Sequence, residues 1–530
     1  MLKPFQNFLR LIGIAKILAK HRALEPLGLL MEASGFTPAT VFIGRILAKI
    51  TRKRNGSLHL KPGELRPGQR LAAALAELGP ASIKLGQILS TRSDLIGASM
   101  AADLAMLRDR LEPFSFDKVR QIVETELDQP LENIFVHFDP RPISAASIAQ
   151  VHYAILPASQ NQPEQKVAVK VLRPDIQKAF ARDLELFFWM ARIIEKTRPR
   201  LRRLRPVAII ETFAQIVDLE MDLRLEAAAA SELAQNFEGD PTYHIPKIFW
   251  EYTSHKVMVQ ERIEGIAIDD KNALQAAGLN VDDILKRAAA IFFRQVFRDG
   301  YFHGDQHPGN MFVNSQGIIS PVDFGIMGRL DQKTRYFLAD MLMAFLKRDY
   351  RKVAEIHREA GYISSDQPID LFAQACRSIG EPISGKTLTD ISFARLLAQL
   401  FSIAERFDMK IQPQLLLLQK NMLMAEGISR YLNPNLNLWG LAYPLIVEWM
   451  REHRGIEARV IESIKNFNNV VDSFPRLLKT MEKIEYNLEK NNDKNKKRKL
   501  IYKYKQKTTF HLMFIWFIIF LLYFIIIFKL

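Results

Sequence analysis

Cysteine is almost absent: the 530 residues hold one, Cys376, which excludes an intrachain disulfide and any zinc centre built on cysteine thiolates. A reducing compartment fits that scarcity. Long apolar runs are almost absent too, the exception being Leu512 to Phe528, 17 residues without a charge or a proline. The chain has no internal repeat, and at 48% hydrophobic and 25% charged residues it lacks the polar bias of a disordered protein. Its length exceeds what one hydrophobic core organises, so two or three domains are expected. The N-terminal stretch is basic and apolar, but Arg10, Lys16 and Lys20 interrupt it too often for the core of a signal peptide. Two readings of it stand side by side: an amphipathic helix lying on a membrane surface, and an ordinary packing helix.

What the sequence has in excess is positive charge, with 73 Lys and Arg against 58 Asp and Glu for a net +15. That balance first suggests nucleic acid or an anionic membrane. Residues 490–507 carry nine of the basic residues against one Asp, a local +8, so more than half of the excess sits in one segment. The segment runs straight into Leu512–Phe528, which as a helix spans about 26 Å, close to a bilayer core of roughly 30 Å. The pattern reads as a C-terminal transmembrane helix with a Lys-rich juxtamembrane linker; a buried core helix is the lesser reading. The positive-inside bias puts the linker, and everything before it, on the cytoplasmic side. No nucleic-acid partner is expected.

Periodicity divides the rest. Residues 1 to about 110 read as helical, with Leu71, Leu75 and Leu78 on one face, until Pro113 breaks the pattern. A helix near Phe116–Glu126 is followed by β-type runs at 150–156 and 166–172, joined by a polar turn that makes them a hairpin. A single long helix is expected over Val207–Phe237, a strand at Lys256–Glu261, and mostly helix from Asp282 on, apart from a strand–turn–strand island at Phe312–Asp323.

Three oxygen-bearing residues in the second half define a chemistry. Asp305, in Tyr301-Phe-His-Gly-Asp-Gln-His-Pro-Gly-Asn310, stands five residues before Asn310, and Asp323-Phe324-Gly325 follows across one hairpin. Phosphoryl transfer needs a carboxylate beside the attacking oxygen, plus an amide oxygen and a second carboxylate for magnesium. The order and spacing match the kinase pattern H-R-D-L-x-x-x-N then D-F-G, with Gly304 in place of the arginine. His303 taken alone would be a satisfied core histidine. Upstream, Val167-Ala168-Val169-Lys170 fits the strand motif V-A-I-K, whose lysine faces the nucleotide phosphates. Glu220, Asp222 and Glu226 supply acidic partners from the following helix, Asp222 and Glu226 sharing a face four residues apart.

The glycine-rich phosphate loop of kinases is missing. Where G-x-G-x-x-G is expected, the chain has Ser144-Ala145-Ala146-Ser147-Ile148-Ala149. Methyl groups there hold the backbone farther from a nucleotide, while the serine hydroxyls remain able to donate to phosphate oxygens. The loop and its flanks, Ile143 through Gln150 and Val151, form the expected nucleotide-binding segment. A second departure is Lys84-Leu85-Gly86-Gln87, which sets a cation and an amide on one face of an N-terminal helix.

This combination resembles the UbiB/ADCK family of atypical kinases over roughly residues 20–450. The resemblance implies an α+β, protein-kinase-like two-lobed fold with an N-terminal helical extension whose Lys84–Gln87 helix lies over the active site, closing the cleft a peptide would use. It implies ATP (or ADP) and Mg²⁺ as cofactors. It assigns Lys170 to the phosphates, Asp305 to catalysis and Asn310 with Asp323 to the metal. Glu226 becomes the partner of Lys170, while Glu220 and Asp222 meet Lys84 or the phosphates. Members of the family support ubiquinone biosynthesis, act as ATPases more readily than as protein kinases, and work at membranes. The implied partners are therefore membrane lipid, isoprenoid quinone intermediates and other enzymes of that pathway, at the bacterial inner membrane. Bacterial members usually end in two spans; this sequence has one.

The expected domains are 1–112 (helical extension), 113–262 (N-lobe), 263–450 (C-lobe), 451–507 (linker) and 508–530 (transmembrane helix). Two other functions suit parts of the same pattern: a small-molecule phosphotransferase of the aminoglycoside or choline kinase type, because the Asp305 segment fits it equally well, and a nucleotide-responsive scaffold without catalysis.

Overall fold

A computed structural model describes residues 2–23, 65–90, 98–104, 112–158, 163–197, 206–381, 412–434 and 438–454, with a few single positions between them. The chain divides into two units, Met1–Trp449 and Met450–Leu530, and the site lies wholly in the first. Among the described residues no helix is long and apolar enough to cross a membrane. The expected Lys-rich linker and transmembrane run fall outside the described residues.

The N-terminal part is helical: α1 (Leu2–Lys20), α2 (Pro67–Leu78), α3 (Pro80–Ser90) and α4 (Ala98–Leu104). Leu71 and Leu75 are buried against Leu104 and Leu107, and Ile17 and Leu18 of α1 pack on the same cluster. Lys20 and His21 both reach Glu77 on α2, and Arg10 pairs with Asp183. The described half of α1 is thus a packing helix, one of the two readings its sequence allows.

A five-stranded antiparallel sheet follows. α5 (Phe116–Leu127) and α6 (Leu131–Ile134) lead into β1 (His137–Phe138), β2 (Ser144–Ala145), β3 (Ala149–Leu156) and β4 (Gln165–Leu172). Then come α7 (Ile176–Thr197), α8 (Pro206–Glu220), α9 (Leu223–Asn236) and β5 (Val257–Glu261). The strands run β1-β3-β4-β5, with β2 pairing the start of β3. Alternation along β4 turns Val167, Val169 and Val171 toward Val119 and Val123 of α5, so that Lys170 and Leu172 face the opposite side. Register sets Lys170 between Val151 and Met258.

Two features of this part differ from the sequence expectation. α7 has no counterpart among the segments singled out by periodicity. The expected helix over Val207–Phe237 is two helices, broken at Met221–Asp222. Asp222 adopts extended backbone geometry, and its carboxylate accepts from the Arg224 amide as the N-cap of α9. A carboxylate that satisfies the free amides of a helix start favours a new helix over a continued one.

The remainder is mainly helical: β6 (Ile266–Ala267), α10 (Lys271–Ala276), α11 (Val281–Phe293), a π-helical turn (Arg294–Asp299), β7 (Tyr301–His303), a 3₁₀ turn (Pro308–Asn310), β8 (Met311–Val313), β9 (Ile319–Pro321) and β10 (Met327–Arg329). Helices α12 (Gln332–Leu346), α13 (Tyr350–Glu359), α14 (Ile369–Gly380), α15 (Pro413–Leu432) and α16 (Leu438–Arg454) complete it. The strand–turn–strand island is the β8–β9 hairpin, Met311 opposite Pro321 and Val313 opposite Ile319. One core joins both lobes: Leu172 and Met258 of the sheet, Leu223 and Ala227 of α9, Ile319 of the β8–β9 hairpin and Phe324 beyond it.

Candidate active site

Lys170, Glu226 and Asp323 meet where these elements converge. Lys170 Nζ donates to Glu226 Oε1 at 2.6 Å and lies 3.5 Å from Asp323 Oδ1. Glu226, in the first turn of α9, also accepts from the Phe324 amide at 3.3 Å, so one carboxylate oxygen ties the β4 lysine to the segment after β9. One ammonium between two carboxylates leaves one negative charge over. Burial pulls the lysine pKa down, but Asp323 and Glu226 outweigh it and raise it above the ordinary value. Burial, reinforced by the charge of Asp323 and only partly offset by Lys170, lifts Glu226 to about 7. Desolvation in the cleft opposes ionisation of Asp323 too, yet Lys170 and the Gly325 amide hold it below the usual carboxylate range. The surplus charge therefore sits on Asp323, whose side chain is 45% exposed, while Glu226 lies deeper at 7%. Two like groups pushed apart in this way take different roles.

The Asp305 loop is built on His303. This side chain is buried; its Nδ1 accepts from the Asp305 amide, so its Nε2 carries the proton and donates to the Asp323 carbonyl. Burial lowers its pKa, which keeps it neutral in that role. It is a satisfied core histidine after all, and it locks the loop to the Asp-Phe-Gly turn. Gly304 stands where the kinase pattern has arginine because β7 and β10 pair closely here: a Cβ would lie 2.8 Å from Ile326 Cγ2 and 3.0 Å from its carbonyl oxygen. The amide of Asn310 donates to the Asp305 carbonyl at 3.4 Å, and its own backbone carbonyl accepts from Val322. The backbone of Asn310 is thereby paired with the residue next to Asp323.

The Ala-rich loop is held from below. Arg173, just past β4, donates its backbone amide to Ile148 O (2.8 Å) and its Nε to Ala146 O (2.9 Å). Ile148 joins the cluster that Ala81, Leu85 and Ile88 of α3 form with Phe180, Phe213 and Val217, so the Lys84–Gln87 helix packs against this loop. Lys84 forms a buried ion pair with Glu220 Oε2 at 2.6 Å. Gly86 lies where α3 meets its neighbours: a Cβ would come 2.4 Å from Leu107 Cδ1.

Several expected site residues are placed elsewhere or in another role. Asp222, the N-cap of α9, is gripped by the guanidinium of Arg224, so Glu220 is the one that reaches Lys84. Gln150 faces away from Val151, as strand alternation requires; it is fully buried and bonds the Phe114 backbone and His152. Ser147 is fully buried as well, and only Ser144 of the two loop serines is exposed. Ile143 is exposed beside β2.

Two residues absent from the sequence reading touch the site. Lys420 Nζ on α15 donates to Asp305 Oδ1 at 2.8 Å. Its neighbour Asn421, fully buried, donates to the His303 carbonyl and accepts from the Gln306 amide. The available signal was the polar triplet Gln419-Lys420-Asn421 inside the apolar run Leu415–Met424.

Comparison with known proteins accords with this geometry. Residues 106–357 match the ABC1 atypical kinase-like domain, and residues 376–437 match the UbiB helical domain. The chain is 45% identical over 413 residues to a relative from Marinobacter nauticus described as "Probable protein kinase UbiB", covering 77% of this chain and 74% of that one. The chain belongs to the UbiB family of atypical kinases. Family members so described from Vibrio parahaemolyticus (44%, 75% of this chain and 73% of that one) and Pseudomonas paraeruginosa (41%, 78% and 77%) are comparably similar. Among solved structures, the Rv3197–erythromycin complex from Mycobacterium tuberculosis aligns with 70% of this chain and 93% of its own at 22% identity and a TM-score of 0.49. The match to the ABC1 atypical kinase-like domain supports the kinase-like α+β fold that the resemblance implies. Lys420 and Asn421 lie in the UbiB helical domain, outside the kinase-like match.

Proposed function

We propose that this protein is a membrane-anchored, magnesium-dependent phosphotransferase or ATPase that promotes ubiquinone synthesis, acting on or beside isoprenoid lipid intermediates. The observation that carries the catalytic half is the contact of Lys170 with both Glu226 and Asp323, next to an Asp305 loop locked to the same turn by His303. Membership of the UbiB family and the Lys-rich stretch before Leu512 support the membrane and quinone half.

The donor set suits a magnesium nucleotide. Among the described residues no group of three or more His, Cys, Asp or Glu could hold a metal unaided. Magnesium needs none, since it commonly takes one or two protein oxygens and completes its shell with phosphates and water. Asp323 and Asn310 would hold it, and when bound it neutralises charge on the phosphates being cleaved. Lys170, held in place by Glu226, would bind phosphate oxygens beside it. Asp305 accepts the proton of the attacking water or alcohol as its oxygen bonds to the terminal phosphorus. The electron pair of the broken P–O bond leaves with the nucleoside diphosphate. The Lys84–Glu220 pair and the Ile148 cluster hold α3 against the phosphate loop, an arrangement that favours a small acceptor or water over a peptide.

Quinone profiling of a strain carrying Asp323→Asn, beside turnover of purified wild-type and Asp305→Asn protein, tests both halves. The expected result is accumulation of a quinone precursor and loss of turnover. Unchanged quinones would contradict the pathway, and turnover unaffected by Asp305→Asn would contradict the chemistry.

A further inference from the structure

We infer that α15 completes the catalytic centre, with Lys420 the positioning residue that aims the Asp305 carboxylate; this rests on the reading of Asp305 as the proton acceptor. Lys420 Nζ sits 2.8 Å from Asp305 Oδ1, and among the described residues it is the one Lys or Arg at ion-pair distance from that carboxylate. The other carboxylate oxygen, Oδ2, has no protein partner among the described residues. An ammonium on one oxygen fixes the rotation of the carboxylate and leaves the second oxygen for the nucleophile's proton.

The loop cannot supply this cation from its own residues. His307, two positions after Asp305, turns its Nδ1 back to accept from the Gly309 amide at 3.1 Å. Asn310 donates to the Asp305 backbone. Asn421 meanwhile brackets the loop, donating to His303 O on one side and accepting from Gln306 N at 3.4 Å on the other. Consecutive residues of one helix thus hold the backbone on both sides of Asp305 and its side chain as well. α15 also packs beside β10, the partner of the strand that leads into the loop. Asn421 is fully buried, whereas the Lys420 and Asp305 side chains are 22% and 30% exposed. The amide therefore belongs to the packing, and the ion pair to the solvent-accessible side of the loop.

The test compares full-length wild type, Lys420→Met, Lys420→Gln, Lys420→Arg, Asp305→Asn and the Asp305→Asn/Lys420→Met double variant. Magnesium-dependent ATP hydrolysis, affinity for a fluorescent ATP analogue and the thermal midpoint are measured for each. Misaiming a catalytic group by about 1 Å costs on the order of 100-fold, so Lys420→Met and Lys420→Gln are expected to lower kcat about 10- to 100-fold. Nucleotide affinity should stay within about threefold, because Lys420 acts on Asp305 and not on the nucleotide. Lys420→Arg should retain at least about a third of wild-type kcat, and adding Lys420→Met to Asp305→Asn should lower kcat no further, since residues acting as one unit are not additive.

Loss of kcat that multiplies in the double variant, or wild-type kcat in both Lys420→Met and Lys420→Gln, overturns the inference while leaving Asp305 as the proton acceptor. A wild type without magnesium-dependent hydrolysis, or an Asp305→Asn variant equal to it, overturns the parent reading and this inference with it. A variant that loses its thermal midpoint counts as a structural role for Lys420 and against the positioning one.

Discussion

At Lys170 one cation serves two carboxylates, and the environment decides which of them keeps its charge. Glu226 is buried and pushed up to about 7; Asp323 opens to the cleft and stays ionised. Lys170→Met removes the cation while leaving both acids in place. A hydrogen bond to a charged group is worth about 1.5–3 kcal/mol, so ATP affinity by calorimetry is expected to fall about 10- to 100-fold. Affinity within about twofold of wild type would remove Lys170 from the phosphate site. Lys170, Asp305, Asn310 and Asp323 could be named as candidates because the spacing of a catalytic loop is local in sequence and strand alternation assigns a face. The burial of Gln150 and Ser147 was not legible, since a run of neighbouring residues says nothing about which of them turns inward. For Lys420 the polar triplet marks the position but not its partner: Asp305 lies 115 residues away, and no periodicity links an ion pair across that separation.

At the scale of the element, α3 is fastened by a buried ion pair and by close packing at Gly86. Lys84→Met leaves Glu220 buried opposite a methyl group, and breaking a buried pair in this way costs about 3–5 kcal/mol. Removing both charges with Lys84→Met/Glu220→Leu should restore most of that loss, because the desolvation penalty goes with them. Denaturant midpoints of the two variants check this, and equal losses in both would mean that the pair does not fasten the helix. The break between α8 and α9 shows how far pattern reading goes for elements. Apolar residues continue across Met221, so periodicity reads one helix. The cap made by Asp222 with Arg224 depends on backbone geometry that composition does not carry. The β3–β4 hairpin and the β8–β9 island were legible because alternation and turn residues coincide there.

For the whole molecule, the two lobes share one core, so stability and the site respond together to conditions. His357 of α13 is buried among Tyr362 and Phe372 and donates Nδ1 to Val353 O. Burial pushes its pKa from the usual 6.5 down to about 4. A base depressed in the folded state is protonated first in the unfolded state, so stability falls as pH drops from about 6.5 toward 4, by on the order of 3 kcal/mol in total. His357→Gln should flatten the decline of the thermal midpoint over that range; an unchanged slope would assign the dependence to other groups. The expected anchor makes a second prediction at this scale: deleting residues 508–530 should move the protein from the membrane fraction to the soluble fraction on ultracentrifugation, and an unchanged distribution would contradict the anchor. That expectation rests on composition alone, a charge block beside the chain's one long apolar run.

The central claim is that Asp323 and Asn310 hold magnesium on a nucleotide that Lys170 also grips. Isothermal titration of the full-length chain with ATP, with and without Mg²⁺, for wild type and Asp323→Asn, tests it most directly. Mg²⁺ is expected to strengthen ATP binding to the wild type by about tenfold or more, and Asp323→Asn to abolish that strengthening through the loss of one charged metal ligand. Binding that is equally tight without magnesium, or a magnesium effect that survives in Asp323→Asn, would contradict it.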